Sequence, residues 1–456
     1  MKRFITAYCL FFSAALNAQT NAPLTQFDIT SYSVNIDFVD EYDTLDVGVI
    51  VRYRLVNPNC KEINLSLVGL NPQTGTGMKV SHVTCSSLGG NIPFRQTKDE
   101  LIIPAQTDPD KQWFYVHYRG AAADGIIIGK NKFGDRTFFT DTWPDRAPHW
   151  LACVNHPGDK AEFVWSVEAP EHYTVSANGI LTMETHAPQN RKMWTFIQQE
   201  PIAVKVAAVA VARFDCALQE TVNCVPVYEY YFPQSRENRH YKFDSSATIL
   251  KFFTALIGEY PYKKLSNLQS TISFGGMENA GNIFYDQESV DGDRDCEALV
   301  AHETIHQWFG NSVSEKSFAH VWLSEGFATF LTNYYIEKKY GKDSLNKRLK
   351  KDWERSLRFS ANNNRSVVDN TSDFMSLLTP NSYEKGGLFL QALREKIGDS
   401  LFFSIIRTFY GKYKFKNADT EDFRAVVESL TRKNWKEFFN DWLYKPKLPE
   451  KYLPPK

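Results

Sequence analysis

The sequence predicts a β-rich N-terminal part followed by an α+β part, with a metal-binding helix between the sheet and a run of later helices. Three observations carry this prediction. From Phe27 to Phe214 apolar and polar residues alternate with period two, the signature of half-buried strands. After Cys224 the character changes, and beyond Glu325 most of the chain reads as helices. In the stretch VAHETIHQWFGNSVSEKSFAHVWLSEGFA, from Val300 to Ala328, His302, Glu303 and His306 form H-E-x-x-H, which on a helix aims both imidazoles at one metal ion.

In chain order, Met1 to Ala18 carries Lys2 and Arg3, an apolar run from Phe4 to Leu16, and then Leu16-Asn17-Ala18. This is the layout of a cleaved secretory signal peptide, too short for a membrane span, and it implies a secreted or periplasmic protein. No later segment is apolar and long enough to cross a bilayer. Without Lys2 and Arg3 the chain has 50 basic and 53 acidic residues, a formal charge of −3. Such a balance offers no general attraction to nucleic acid or to acidic membranes.

Tyr32, Val34, Ile36 and Phe38 alternate with polar residues, as do Val47, Val49, Val51 and Tyr53, and Trp113 to Tyr118 is rich in strand formers. Gly89-Gly90, Gly120 and Asn178-Gly179 punctuate the strands. The apolar stretch Val204 to Phe214 reads as the last strand of this part. The expected segments are 1–18 (signal peptide), 19–216 (β domain) and 217–456 (metal-binding domain). No repeats, low-complexity tracts or long linkers interrupt them.

In the second part Cys224 to Phe232 and Leu268 to Phe274 read as strands, and Ser246 to Gly258 as a helix with Ile249, Phe252, Phe253 and Leu256 on one face. Helices are expected over Asp343 to Leu357, Glu384 to Ile397, Thr420 to Leu430 and Trp435 to Trp442. Of the cysteines outside the apolar leader, Cys216 with Cys224 and Cys60 with Cys85 are candidate pairs in an oxidising compartment. Their pairing is not readable from sequence.

Two imidazoles leave a tetrahedral zinc short of ligands, and a catalytic site takes three protein groups and keeps one position open. Glu325 supplies the third, because the eighteen residues after His306 let one helix end, a loop turn and a second helix begin. Glu303, between the ligands, sits where a carboxylate acts as general base. The implied cofactor is one Zn2+ per chain.

On these residues the chain resembles the zinc aminopeptidases of the aminopeptidase N family, gluzincins to which leukotriene hydrolase also belongs, from about Phe27 to Pro449. The family's H-E-x-x-H, eighteen residues, then E matches His302, Glu303, His306 and Glu325. Its G-x-M-E-N matches Gly275, Gly276, Met277, Glu278 and Asn279. GEYPYKKL at Gly258, HQWFGNSV at His306, WLSEGFA at Trp322 and YEKGG at Tyr383 match less specific segments.

The resemblance implies a saddle-like all-β N-terminal domain, a thermolysin-like catalytic domain and removal of residues from peptides with a free N-terminus. It implies that Glu278 binds the substrate's α-amino group, Gly275 and Gly276 line the peptide, Met277 shapes the first side-chain pocket, and Tyr383 donates to the oxyanion. Departures from the family are equally specific. Where the family carries a second amine-binding residue in its N-terminal domain, this chain has DTWPDRAP, with Asp141 at the first position of that motif and Trp143 at the second. Asp141 is the candidate substitute. W-L-N-E-G becomes W-L-S-E-G, placing Ser324 beside the ligand. No domain follows the catalytic helices in this sequence, which leads us to expect a cleft that is more open, or one closed by a partner. The alternatives are an endopeptidase, a bifunctional hydrolase of the leukotriene hydrolase kind, and a silent peptide-binding relic. Retention of Glu303 and Tyr383 argues against the relic, since binding alone needs neither.

Overall fold

The structure, a computed structural model, describes residues 22–85, 90–235, 242–291 and 296–449. The leader read as a signal peptide lies outside these residues. Among them, no helix is long and apolar enough to cross a membrane.

The alternating N-terminal sequence forms three sheets. The largest runs in the order Ile180–Ala187, Arg191–Ala203, Lys160–Pro170, Phe27–Asp37, Thr44–Leu55, Trp113–Ala121 and Gly77–Thr84. Its pairs are antiparallel except for Phe27–Asp37 with Lys160–Pro170. One face is buried, as the alternation requires: Tyr32, Val34 and Ile36 are sealed while their neighbours are partly exposed. A three-stranded sheet (Glu62–Ser66, Glu100–Pro104, Arg95–Gln96) and a four-stranded one (Thr174–Ala177, Val209–Ala212, Arg136–Thr140, Ile126–Lys130) complete this part.

The run expected as one strand from Val204 to Phe214 divides. Val204–Val206 is a tight helical turn and only Val209–Ala212 joins a ladder. The turn frees Lys205 to meet Glu315 across the molecule and lets the carbonyl of Val206 accept from Asn178 Nδ2 and from Ala280 N. The same Asn178 side chain donates to the carbonyl of Ala280, so the four-stranded sheet holds the segment just beyond Asn279.

A five-stranded mixed sheet follows, in the order Asp215–Val222, Val225–Tyr231, Leu265–Ser270, Asn282–Asp286 and Gly276–Met277. The Gly276–Met277 strand is its edge, antiparallel to Asn282–Asp286. Against this sheet stand helices α1 (Ser246–Ile257), α2 (Glu297–His306) and α3 (Trp322–Tyr340), followed by α4 (Lys342–Asn362), α5 (Gly386–Ile397), α6 (Asp399–Tyr413) and α7 (Thr420–Thr431). The expected helix from Glu384 begins at Gly386, after one wide turn, Asn381–Lys385, in which Lys385 N bonds back five residues to Pro380 O. That from Trp435 is a short helix, Lys436–Phe439, running into a second wide turn.

Cys60, Cys85, Cys153, Cys216, Cys224 and Cys296 are free thiols. Cys216 faces Tyr230 across the hairpin whereas Cys224 sits at its tip, so a strand's length separates the two.

Candidate metal and peptide site

Helix α2 carries the first three site residues. It has no side-chain cap at its N-terminus; Glu297 in its first turn instead takes hydrogen bonds from Tyr335 (2.5 Å), Lys339 and Tyr340 of α3. These bonds fix α2 against α3, whose first turn carries Glu325. His302 Nε2 and His306 Nε2 each lie 3.4 Å from Glu325 Oε2. Ligands about 2.0–2.1 Å from a tetrahedral zinc stand roughly 3.3–3.4 Å apart, so the spacing fits that ion. Among the described residues this trio is the one group of three or more His, Cys, Asp or Glu donors close enough to hold a metal.

Charge makes the same demand. Burial pulls the His306 imidazole down, but the Glu325 and Glu278 carboxylates outweigh it and hold the ring up at about 10. Burial keeps His302 below its ordinary value, and burial raises the carboxyls of Glu278 and Glu303. Three buried carboxylates around two imidazoles make a site suited to a cation. His306 Nδ1 faces Ser324 Oγ at 2.9 Å and the carbonyl of Phe309 at 3.2 Å, leaving Nε2 for the metal. Ser324, the departure noted in the sequence, therefore touches a ligand directly.

Around the trio is a cavity of about 460 Å3. Of the residues singled out in the sequence it is lined by Gly275, Gly276, Met277, Glu278, His302, Glu303, His306, Glu325 and Tyr383. A Cβ on Gly276 would lie 2.5 Å from Glu303 Oε1, so only glycine lets the edge strand pass over the base. Gln307 Nε2 and Asn311 Nδ2 both donate to the carbonyl of Glu278, which accounts for the HQWFGN segment. The Glu278 side chain is buried, and its Oε1 has no hydrogen-bond partner among the described residues. The ring of Tyr383 stacks on His302 with centroids 5.9 Å apart, and burial with the nearby Glu325 raises its hydroxyl well above the ordinary value. It is therefore a hydrogen-bond donor at any physiological pH.

Asp141 is elsewhere. Its buried carboxylate pairs with Arg146 five residues on, and it is absent from the cavity lining, whereas Trp143 is part of it. Sequence reasoning missed Thr329 and Thr332 on α3, Arg348, Asp352 and Arg355 on α4, and Glu384, all of which line the cavity. The signal was there as spacing, one helical face at i, i+4 and i+7 from Glu325 and from Arg348, but spacing does not say what a face looks at.

Residues 241–442 match the model of the Peptidase family M1 domain. Residues 241–442 are thus an M1 peptidase domain, and the His302–His306–Glu325 trio lies within it. Among curated relatives it is 27% identical to human (Homo sapiens) glutamyl aminopeptidase over 323 residues, 66% of this chain and 33% of that protein. It is 23% identical to probable aminopeptidase 2 of Sulfurisphaera tokodaii over 444 residues, 93% of this chain and 54% of the other. The chain thus spans between a third and about half of the length of these relatives. Among solved structures, the M1 zinc metallopeptidase of Deinococcus radiodurans in a variant bound to a Tyr-Ser-Ala substrate superposes with a TM-score of 0.80 at 21% identity, covering 94% of this chain and 97% of that one. Yeast LTA4 hydrolase in complex with bestatin gives 0.83 at 19%, covering 98% and 72%. These likenesses establish the shared two-part M1 fold, a β-sheet part followed by a largely helical one.

Proposed function

We propose that this M1 protein is a zinc aminopeptidase that removes N-terminal residues from peptides. The observation that carries the reading is the buried Glu278 carboxylate, whose Oε1 has no hydrogen-bond partner among the described residues and which lines one cavity with Glu303 and the His302–His306–Glu325 trio. A substrate's α-ammonium supplies what that carboxylate lacks. The curated relatives named as aminopeptidases, and the neighbour bound to a tripeptide, support the same reading.

Zinc bound by His302, His306 and Glu325 supplies Lewis acidity, polarising a carbonyl and acidifying water. Glu303 takes the proton from the attacking water as its oxygen bonds to the scissile carbon, and returns it to the amine nitrogen as the C–N bond breaks. Burial raises the proton affinity of Glu303, which suits it to accept that proton. Tyr383 donates to the oxyanion that forms on the carbonyl. The Gly276–Met277 edge strand presents its backbone to the extended peptide, with Met277 beside the first side chain. We place the division between the two parts near residue 216, where the chain leaves Val209–Ala212 for the five-stranded sheet. We further infer export, from the charged, apolar and small-residue pattern of residues 1–18; N-terminal sequencing of the extracytoplasmic protein should begin after Ala18.

Hydrolysis of a panel of aminoacyl p-nitroanilides, with and without chelator, and of N-acetylated peptides tests the function. We expect chelator-sensitive activity confined to free amines. Activity indifferent to chelation, or N-acetylated peptides cut at comparable rates, overturns it.

A further inference from the structure

Arg348, Asp352 and Arg355 lie on one face of α4 and all line the cavity. The two arginines are held differently. Arg355 Nη1 is paired with Glu384 Oε1 at 2.8 Å. Arg348 forms no ion pair among the described residues. Its Nε donates to Asn333 Oδ1, and the amide of the same Asn333 donates to Asp352 Oδ2 at 2.8 Å. One α3 side chain thus orients the guanidinium while leaving its terminal nitrogens for another acceptor.

Its place along the cavity follows from what each end faces. Glu278, read above as the amine anchor, is held at its carbonyl by Gln307 and Asn311, just beyond His306 at the C-terminal end of α2. Arg348 is held by Asn333, in the stretch of α3 that Tyr335 and Lys339 tie to Glu297 at the N-terminal end of α2. The two therefore approach the metal trio from opposite ends of α2. On α3 the cavity-lining residues step from Glu325 to Thr329 to Thr332, roughly 10 Å along the axis, ending beside Asn333. A peptide held by its amine at Glu278, with its scissile carbonyl at the trio, has its leaving-group side running toward Arg348.

We propose that Arg348 forms a carboxylate-binding subsite on the leaving-group side of the cleft, selecting peptides that carry a carboxylate within about two residues beyond the scissile bond. A guanidinium with free terminal nitrogens matches a carboxylate in a two-pronged contact. Burial disfavours the Arg348 charge, the Asp352 carboxylate one turn on offsets only part of this, and a substrate carboxylate adds to that compensation. The carboxylate comes either from the C-terminus of a short peptide or from an acidic second residue. The proposal rests on the aminopeptidase reading.

The test compares zinc-loaded protein on Ala-Ala, Ala-Ala amide, Ala-Glu amide and Ala-Gln amide. Ala-Ala should exceed its amide in kcat/KM by about ten- to a hundredfold, mainly through KM. Arg348→Gln should bring that ratio near one, with part of it kept in Arg348→Lys. A similar advantage of Ala-Glu amide over Ala-Gln amide, lost in Arg348→Gln, extends the subsite to acidic side chains; no such advantage assigns it to the C-terminus alone. Equal rates on all four by wild type overturn the subsite and leave the aminopeptidase reading intact. If none of the four is hydrolysed, it is that reading that fails. Calorimetric binding of Ala-Ala and its amide to Glu303→Gln then decides the subsite separately, with equal Kd overturning it.

Discussion

At the scale of single residues, Glu303 and Ser324 act on different properties. Glu303→Gln keeps the shape and removes the base, so zinc content should stay at one per chain while kcat falls by about 10² to 10⁴. Metal analysis and kinetics on one preparation check this, and near-normal turnover with zinc bound removes Glu303 from the reaction. Ser324→Ala takes away one of two partners of His306 Nδ1, leaving the carbonyl of Phe309. Loss of such an outer contact typically costs about 10- to 100-fold in metal affinity, and the surviving carbonyl puts the expected loss at about tenfold. Competition with a zinc chelator measures it. The ligands and the base were legible because four residues on a helix return to one face whatever surrounds them. Asp141 was not, because nothing in DTWPDRAP says that its carboxylate turns back to Arg146.

Elements meet at this site through small contacts that a motif does not explain. Gly326 of α3 and Gly386 of α5 touch backbone to backbone: a Cβ on Gly326 would lie 2.9 Å from the carbonyl carbon of Gly386. That approach sets the wide turn bearing Tyr383 over His302. Gly326→Ala should destabilise by about 1–3 kcal/mol and lower kcat, because the turn has to move away. Urea unfolding and kinetics report the two effects, and an unchanged kcat shows the turn to be placed by other contacts. Glu297 ties α2 to α3. Burial raises its carboxyl, but the bonds from Lys339, Tyr335 and Tyr340 outweigh this and hold it below its ordinary 4.5. A depressed carboxyl stabilises the fold above its unfolded value and loses that contribution as pH falls through the folded one. Glu297→Gln should therefore cost about 1–2 kcal/mol at pH 7, with the gap to wild type closing below about pH 4. A gap independent of pH shows that packing, not charge, holds the helices.

Across the whole molecule, the N-terminal sheets and the catalytic helices are joined by a sealed ion pair, Lys205 Nζ to Glu315 Oε1 at 2.5 Å, with side-chain exposures of 2% and 0%. Lys160 lies nearby, its ammonium donating to the carbonyls of Asn311, Ser312 and Lys416. Lys205→Met leaves the Glu315 carboxylate buried and unpaired, at an expected cost of about 3–5 kcal/mol, while Lys205→Met with Glu315→Leu should recover most of it. Denaturant midpoints of the single and double variants test this; a single variant within about 0.5 kcal/mol of wild type shows the pair to be solvated.

The sequence by itself determined the strand-rich start, the helical end and the metal trio. Each of these is written in a short period or a fixed spacing that local geometry converts into a face. The peptide-lining role of Gly275 and Gly276 was implied only by the family resemblance of Gly275 to Asn279, and the structure makes Gly276–Met277 the edge strand. Only the tertiary structure decided which faces look into the cavity. Arg348, Asp352 and Arg355 read as an ordinary charged face of a solvated helix, and packing of α4 on α3 turned that face inward. It likewise split the apolar run Val204–Phe214, since the partner that draws Lys205 off the sheet, Glu315, is 110 residues away. Local periodicity fixes how residues repeat along an element; what each element meets depends on contacts between distant segments, which no window of sequence contains.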